Sequence, residues 1–331
     1  MARHHAAVVR GLGHQIDTVC TTGDSDRRRR FMDDFQVGRA CDRVEDLLAM
    51  DRDVVEALLV ATPWDRTADI AEQVLEAGIP SLIEKPPALS SRRLREWLER
   101  PTPLGERTLI GHNRRFYEFL PEVRQALSTR TLLSVEGSFP DPLDADFASA
   151  PAWVPTMGLL SRTSHPLDLL LHLLGDLRVE QMHRTGRRDD GGFAAYNGLL
   201  VATATDVPVH LRINFDAPSR HRLALHFSDR IYELSPLETL TVYHGMDVAD
   251  PTPEHPIRRY SPQVEISRKA DLAYKPGLRG QLEEFIASCV HGKPRGVGCT
   301  LADTERVTRL CEAIVGSNCP GGRRHPMHQP D

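Results

Sequence analysis

Residues 58–90 read LLVATPWDRTADIAEQVLEAGIPSLIEKPPALS, and the fold class turns on them. From Val54 to Ala61 the chain is almost continuously apolar, as in a strand buried on both faces of a parallel sheet. Thr67 to Ala77 follows as a helix, with Gly78 as its stop. Pro80 to Glu84 is strand again and breaks off in Glu84-Lys85-Pro86-Pro87. A solvent-facing strand end and a lysine delivered to a cleft would both produce that break. The surrounding pattern decides between them.

Upstream, Ala2 to Arg10 suits a helix ended by Gly11-Leu12-Gly13. Ile16 to Thr21 is strand-like, Ser25 or Asp24 caps a helix running through Arg30 to Phe35, and Val44 to Met50 is short and amphipathic. Downstream, Ser90 or Ser91 caps a helix to about Arg100, and Thr108 to Gly111 is a further strand. Strands alternating with helices predict a doubly wound parallel sheet of the Rossmann type. Ligands of such sheets sit beyond the carboxyl ends of the strands. Four segments fall there: Thr21-Thr22, Thr62-Pro63-Trp64, Glu84-Lys85-Pro86 and His112-Asn113-Arg114. Lys85 therefore ends a strand on the ligand-bearing edge.

After Arg115 the pattern changes. A helix over Pro121–Leu127 leads to a strand over Leu132–Phe139, then an irregular stretch over Pro140–Pro155. Leu167 to Leu174 is a strongly apolar helix ending at Gly175. Strand-like runs then follow one another at Val179–Met182, Leu199–Ala204, Val209–Phe215, Leu223–Phe227, Ile231–Leu234 and Leu240–Tyr243. Helices return at Leu278–Val290 and Thr304–Ile314. Successive strands predict a mostly antiparallel, open-faced sheet in an α+β second domain. The expected boundaries are 1–112 and 113–318, with a disordered tail at 319–331.

Composition narrows the function classes. A chain of 331 residues exceeds one ordinary core, which fits two domains. Its net charge of −5 is spread over interspersed acids and bases, so neither nucleic acid nor a membrane surface is the expected partner. Arg27-Arg28-Arg29-Arg30 is the dense basic cluster, and a solvated helix face explains it as well as a ligand does. The six cysteines show no CxxC or zinc spacing, which suggests reduced thiols. No apolar run reaches the ~18 residues of a membrane span, and MARHHAAVVRGLG has no signal-peptide core. A cytoplasmic protein is expected. His172, His183, His210 and His226 share no ligand spacing, and no metal is assigned.

Taken together, residues 58–90, GHNRRF (111–116) and SHPLDLLLHLLGD (164–176) resemble the Gfo/Idh/MocA oxidoreductases, relatives of glucose–fructose oxidoreductase and inositol dehydrogenase. LRGQLEEFIASCVHGKP (278–294) and TLADTERVTRLCEAIVGS (300–317) are similar to the C-terminal helices of that family. The resemblance implies a nicotinamide-dependent dehydrogenase acting on a sugar-, polyol- or cyclitol-like secondary alcohol or ketone. It implies cofactor contacts from Thr21, Thr22, Arg27, Ala61, Thr62, Pro63, Trp64, Glu84, Lys85, Pro86, Asn113 and Arg114. It also implies a homo-dimer or homo-tetramer built on the open sheet. Lys85 would stabilise a developing alkoxide, and His165, across an inter-domain cleft, would exchange the hydroxyl proton. Asp168, at i+3 from His165, would orient it or bind substrate.

Two departures matter. The family pattern has an Asp four residues and a Gly two residues before this histidine; here Ser161 and Thr163 stand there. Serine can hydrogen-bond but supplies no negative charge. The family also opens with a strand and a GxGxxG turn, whereas Ala2 takes the place of the third glycine. A further ~8–12 residues upstream, a strand of ordinary length plus the turn, are expected. Both departures leave room for a catalytically silent homologue with a binding or regulatory role. At the end of the second strand no acid stands where NAD-preferring sites have one. Hydroxyls followed by Arg27 and Arg28 suit a 2′-phosphate, so the cofactor is NADP or NAD with a tilt to NADP.

Overall fold

The computed structural model describes residues 1–100, 105–142, 158–188 and 192–316. Most of the expected irregular stretch at 140–155 and the whole tail at 319–331 lie outside the described residues. The chain divides into two compact units: Met1–Tyr117 with Asp271–Thr308, and Glu118–Ala270 with the residues from Arg309 onward.

In the first unit the order is α1 (Ala2–Gly11), β1 (Thr18–Cys20), α2 (Asp26–Phe35), β2 (Arg39–Cys41), α3 (Val44–Leu48), β3 (Leu58–Val60), α4 (Trp64–Glu76), β4 (Ser81–Ile83), α5 (Ser91–Leu98) and β5 (Thr108–Ile110). The strands are parallel, as expected, but form two ladders, β1–β2 and β3–β4–β5. Side-chain alternation along the second ladder sorts its two faces. Leu58, Val60, Ile83 and Ile110 pack with Ala71, Val74 and Leu75 of α4 and Leu94 and Trp97 of α5. Leu82 and Leu109 point the other way, to Val8 of α1 and to Leu278, Leu282 and Phe285. Helices thus cover both faces, which is why the strands are apolar throughout. Burial of each such leucine contributes roughly 1.5–3 kcal/mol.

The strand expected over Val54–Ala61 is confined to Leu58–Val60, because residues 51–56 form turns before it. The helix expected from Thr67 begins at Trp64. There the Thr67 hydroxyl donates to the Pro63 carbonyl at 2.8 Å, closing a first turn that has no side-chain cap. Ser25 caps α2, accepting from the Arg28 N–H at 3.2 Å. Cys20 and Cys41 are register partners on β1 and β2. Burial first, then the hydrogen bond with Cys41, pushes the Cys20 thiol up to about 12, so it stays protonated near neutrality.

The second unit runs α6 (Leu120–Thr129), β6 (Leu132–Ser138), a π-helical turn over Leu159–Thr163, α7 (Ser164–Leu174), then β7 (Leu177–Arg187), β8 (Phe193–Ala202), β9 (Pro208–Asn214), β10 (Arg222–Phe227), β11 (Ile231–Leu234), β12 (Thr239–Ala249) and β13 (Arg259–Lys269). All eight strands join one sheet in the order β13-β12-β11-β10-β6-β9-β8-β7, antiparallel except for β6 beside β9. Val135, Val209, Leu211, Ile213, Leu223 and Leu225 are buried, while Glu136, His210 and Arg212 alternate on the opposite face. β13 has almost no buried residue, and the outer half of β12 none. Hydropathy therefore missed the one strand and shortened the other.

After β13 the chain enters α8 (Leu278–Phe285), a π turn (Ile286–Val290) and α9 (Leu301–Gly316). A linear reading put 271–308 in the second domain; these residues belong to the first unit. The Ile110 N–H donates to the Cys299 carbonyl at 2.8 Å, and Gln281 Nε2 donates to the Ile110 carbonyl at 3.2 Å. Leu82, 1% exposed at the centre of the three-stranded ladder, reports on both segments at once. Leu82→Ala is expected to lower stability by about 2–5 kcal/mol in urea titration, with loss of structure in both 1–117 and 271–308 by hydrogen exchange.

Candidate active site

The carboxyl end of β4 is the most tightly specified part of the first unit. The Glu84 N–H donates to the Val60 carbonyl and the Gly111 N–H to the Ile83 carbonyl, both at 2.8 Å, so both neighbours hold the strand at its last residue. Glu84 is only 6% exposed. Its Oε1 lies 2.7 Å from Nε2 of His5, in the first turns of α1, and His5 is itself buried. Gly111 leaves room for the carboxyl group: a Cβ there would lie 3.0 Å from Glu84 Cδ. Burial works to raise the Glu84 carboxyl, but the His5 hydrogen bond and the charges of His5, Lys85 and Lys275 outweigh it and hold the group below its ordinary range. Lys85 follows, half-buried, and Pro86 and Pro87 behind it are buried. The lysine thus emerges from a fixed base.

The other strand ends are built differently. After β3, Ala61, Thr62 and Trp64 are half-buried and Pro63 is exposed; the Thr62 and Thr67 hydroxyls lie 3.0 Å apart. After β5, Asn113 Nδ2 donates to the Pro276 carbonyl at 2.6 Å. Gly277 packs behind Asn113 with φ +80°; a Cβ there would meet the Asn113 carbonyl oxygen at 2.1 Å. Arg114 keeps Nη1 buried without a hydrogen-bond partner among the described residues, whereas Arg115 is buried and bonds Asp303 at 3.2 Å. Burial raises the Asp303 carboxyl, yet Arg115 and the Thr300 hydrogen bonds hold it below its usual range. After β1, Thr21 and Thr22 are exposed. Arg28 is tied to Asp42 and Asp24, while Arg27 is exposed and makes no ion pair among the described residues.

In the second unit, the π turn before α7 leads to His165, half-buried, and Asp168, fully buried one turn on. The Ser161 hydroxyl donates to the Gly158 carbonyl at 3.1 Å, and the Ser164 hydroxyl to Leu160 at 2.8 Å.

Residues 1–112 match the family model described as "Oxidoreductase family, NAD-binding Rossmann fold", GFO_IDH_MocA. Residues 1–112 belong to the Gfo/Idh/MocA family. A segment of 126 residues is 30% identical to an inositol 2-dehydrogenase of Rhizobium meliloti (strain 1021), covering 37% of each chain. Over nearly the whole length the fold is that of a UDP-N-acetylglucosamine 3-dehydrogenase from Acidithiobacillus ferrooxidans (20% identity, TM-score 0.70, 95% of this chain and 92% of that one). It is shared also with a 3-ketoreductase from Actinomadura kijaniata in complex with NADP and TDP-benzene (17% identity, TM-score 0.69, 94% and 92%).

Within this Gfo/Idh/MocA domain, Glu84, Lys85 and Pro86 form one constellation with His5, which the sequence reading did not select. The available signal was a polar residue on the apolar side of α1, two positions before Ala7-Val8. Because Glu84 titrates lower in the folded than in the unfolded chain, the unfolded chain binds its proton more readily, and stability rises with pH through that window. The contribution is complete above the ordinary carboxylate value and lost as pH falls through the folded value. Wild type is expected to lose more stability than Glu84→Gln below about pH 4.5, in chemical denaturation at stepped pH. Equal losses would show that the pair does not titrate as described.

Proposed function

We propose that this chain is an NAD(P)-dependent oxidoreductase that interconverts a secondary alcohol and a ketone on a sugar-, polyol- or cyclitol-like substrate. The observation that carries the reading is Lys85, set at the end of a central parallel strand by a buried Glu84–His5 pair. Kinship of residues 1–112 with a nucleotide-binding oxidoreductase family supports it, as does the 30% identity to a dehydrogenase of a cyclitol.

The residues present fit a dinucleotide. Thr21, Thr22 and Arg27 follow β1, Ala61 to Trp64 follow β3, and Asn113 and Arg114 follow β5. Arg114 Nη1 is a buried donor with no acceptor among the described residues, the kind of group a ligand satisfies. When bound, the nicotinamide supplies the hydride acceptor or donor. Lys85 places a positive charge where the substrate oxygen becomes an alkoxide, lowering the energy of that charge in a partly desolvated setting. His165 takes up or returns the hydroxyl proton, its intrinsic titration lying near neutrality. Asp168, buried one turn along, fixes the face on which His165 works. Exposed Met246, Val248, Tyr260 and Val264 on β12 and β13 suit assembly as a homo-dimer or homo-tetramer.

Sugars and cyclitols screened with NAD⁺ and NADP⁺ are expected to yield reduced cofactor with at least one substrate. Lys85→Ala should lower kcat/KM about 10²–10³-fold. Absence of turnover across the panel with both cofactors sinks the reading. Arg27 addresses the cofactor. Arg27→Ala is expected to weaken NADPH about tenfold in fluorescence titration and leave NADH unchanged; equal effects on both would remove the tilt to NADP.

A further inference from the structure

Where β6 and β9 finish and β10 starts, the second unit holds a pair of titratable side chains outside the groups above. Asp141 follows β6 and is 5% exposed. Both carboxylate oxygens are engaged: Thr163 Oγ1 donates to Oδ2 at 2.7 Å, and His221 Nε2 lies 3.1 Å from Oδ1. The backbone is also anchored. The Phe139 N–H donates to the Arg212 carbonyl at 2.8 Å, and the Asp216 N–H to the Asp141 carbonyl at 3.1 Å. The buried Phe139 ring lies 6.0 Å from the His221 ring. The pair therefore rests on packed sheet ends.

With its proton on Nε2, the nitrogen facing Asp141, a neutral His221 carries its lone pair on Nδ1. Nδ1 is buried and has no hydrogen-bond partner among the described residues, while the side chain as a whole keeps 20% of its surface exposed. An imidazole with one nitrogen 3.1 Å from a carboxylate and the other a buried acceptor without a partner among the described residues is a group that a ligand hydroxyl would satisfy. The arrangement also accounts for both departures at the start of α7. Ser161 brings no negative charge and turns its hydroxyl to Gly158. Thr163 stands where the family pattern has glycine, and its hydroxyl is one of the groups that hold Asp141. A glycine could not make that bond. The carboxylate absent from position 161 is matched by one arriving from the end of β6, and the residue that secures it is the second unusual one.

We propose that Asp141 and His221 form a hydroxyl-binding dyad for a polyhydroxylated ligand, with His221 Nδ1 accepting from one ligand hydroxyl and Asp141 positioning the ring. The ligand class rests on the function proposed above. The test uses the full chain labelled with ¹⁵N at histidine, His221 assigned with His221→Gln, and myo-inositol and D-glucose as probes. At least one probe is expected to shift the His221 Nδ1 resonance. Its affinity should fall about tenfold in Asp141→Asn, with the His221 tautomer signature changed. Thr163→Val should lose part of the same affinity, and Thr163→Ser should restore it. If Asp141→Asn does not fold, His221→Gln carries the measurement, with the same loss expected at unchanged thermal midpoint. An Nδ1 resonance unmoved by both probes, or undiminished affinity in a folded dyad variant, overturns the proposal. Reduced-cofactor formation is followed in parallel. A responding His221 without turnover removes the dehydrogenase reading and keeps the dyad; turnover with an unmoved His221 does the reverse.

Discussion

A carboxylate taken out of water must be answered, because an isolated buried charge costs several kcal/mol even after relaxation. Glu84 meets that constraint through His5, and much of the first unit's detail follows from it. The pair ties the first helix to the middle strand of the three-stranded ladder. It favours a residue without Cβ at Gly111, since a Cβ there would lie 3.0 Å from the carboxyl group. The same helix contributes Val8 to the cluster containing Leu82 and Leu109, three positions on from His5. One turn of helix therefore supplies both the charge partner and an apolar contact, and each fixes the geometry of the other.

The fold was legible where burial was symmetrical. β3, β4 and β5 read as apolar runs because helices cover both of their faces, and the helix after β3 was bounded by Gly78. β13 was not legible, because Arg259 to Lys269 lies almost wholly in solvent and alternation has no hydrophobic side to reveal it. β2 is three residues, Arg39-Ala40-Cys41, too few for any period. Of the candidate site, the placement of Thr62, Lys85 and Asn113 at strand ends was legible because topology alone puts them there. His5 was not, since its role depends on a strand far along the chain. The Thr163–Asp141–His221 contacts join three separated segments and left no local trace in the sequence.

Residues 271–308 show the same limit on a larger scale. Chain order follows the second unit, whereas contacts return to the first. Gly277 supplies the φ of +80° and the missing Cβ that let the chain pass against Asn113. Glu284 accepts from the N–H groups of Gly296, Val297 and Gly298 at 3.1, 2.9 and 2.8 Å, folding the loop before α9 onto α8. Arg115 and Asp303 then join the two parts of the unit by a largely buried ion pair. Breaking one partner of such a pair costs more than the pair contributes, since the other charge is left behind. These contacts make 271–308 part of the unit that holds Lys85.

The position of Lys85 has a mechanical consequence. An ammonium group on an edge strand or a long loop would sample many positions, and each lost ångström of alignment with a reacting oxygen lowers its electrostatic effect. Here the residue before the lysine is bonded by its backbone to β3, and the strand by its last carbonyl to Gly111 after β5. Its side chain is fixed by His5, and two buried prolines follow. In the proposed reaction a base held in this way suits a charge that acts on one oxygen between hydroxyl and carbonyl, and the packing behind it explains why an apolar strand ends so abruptly in two charges.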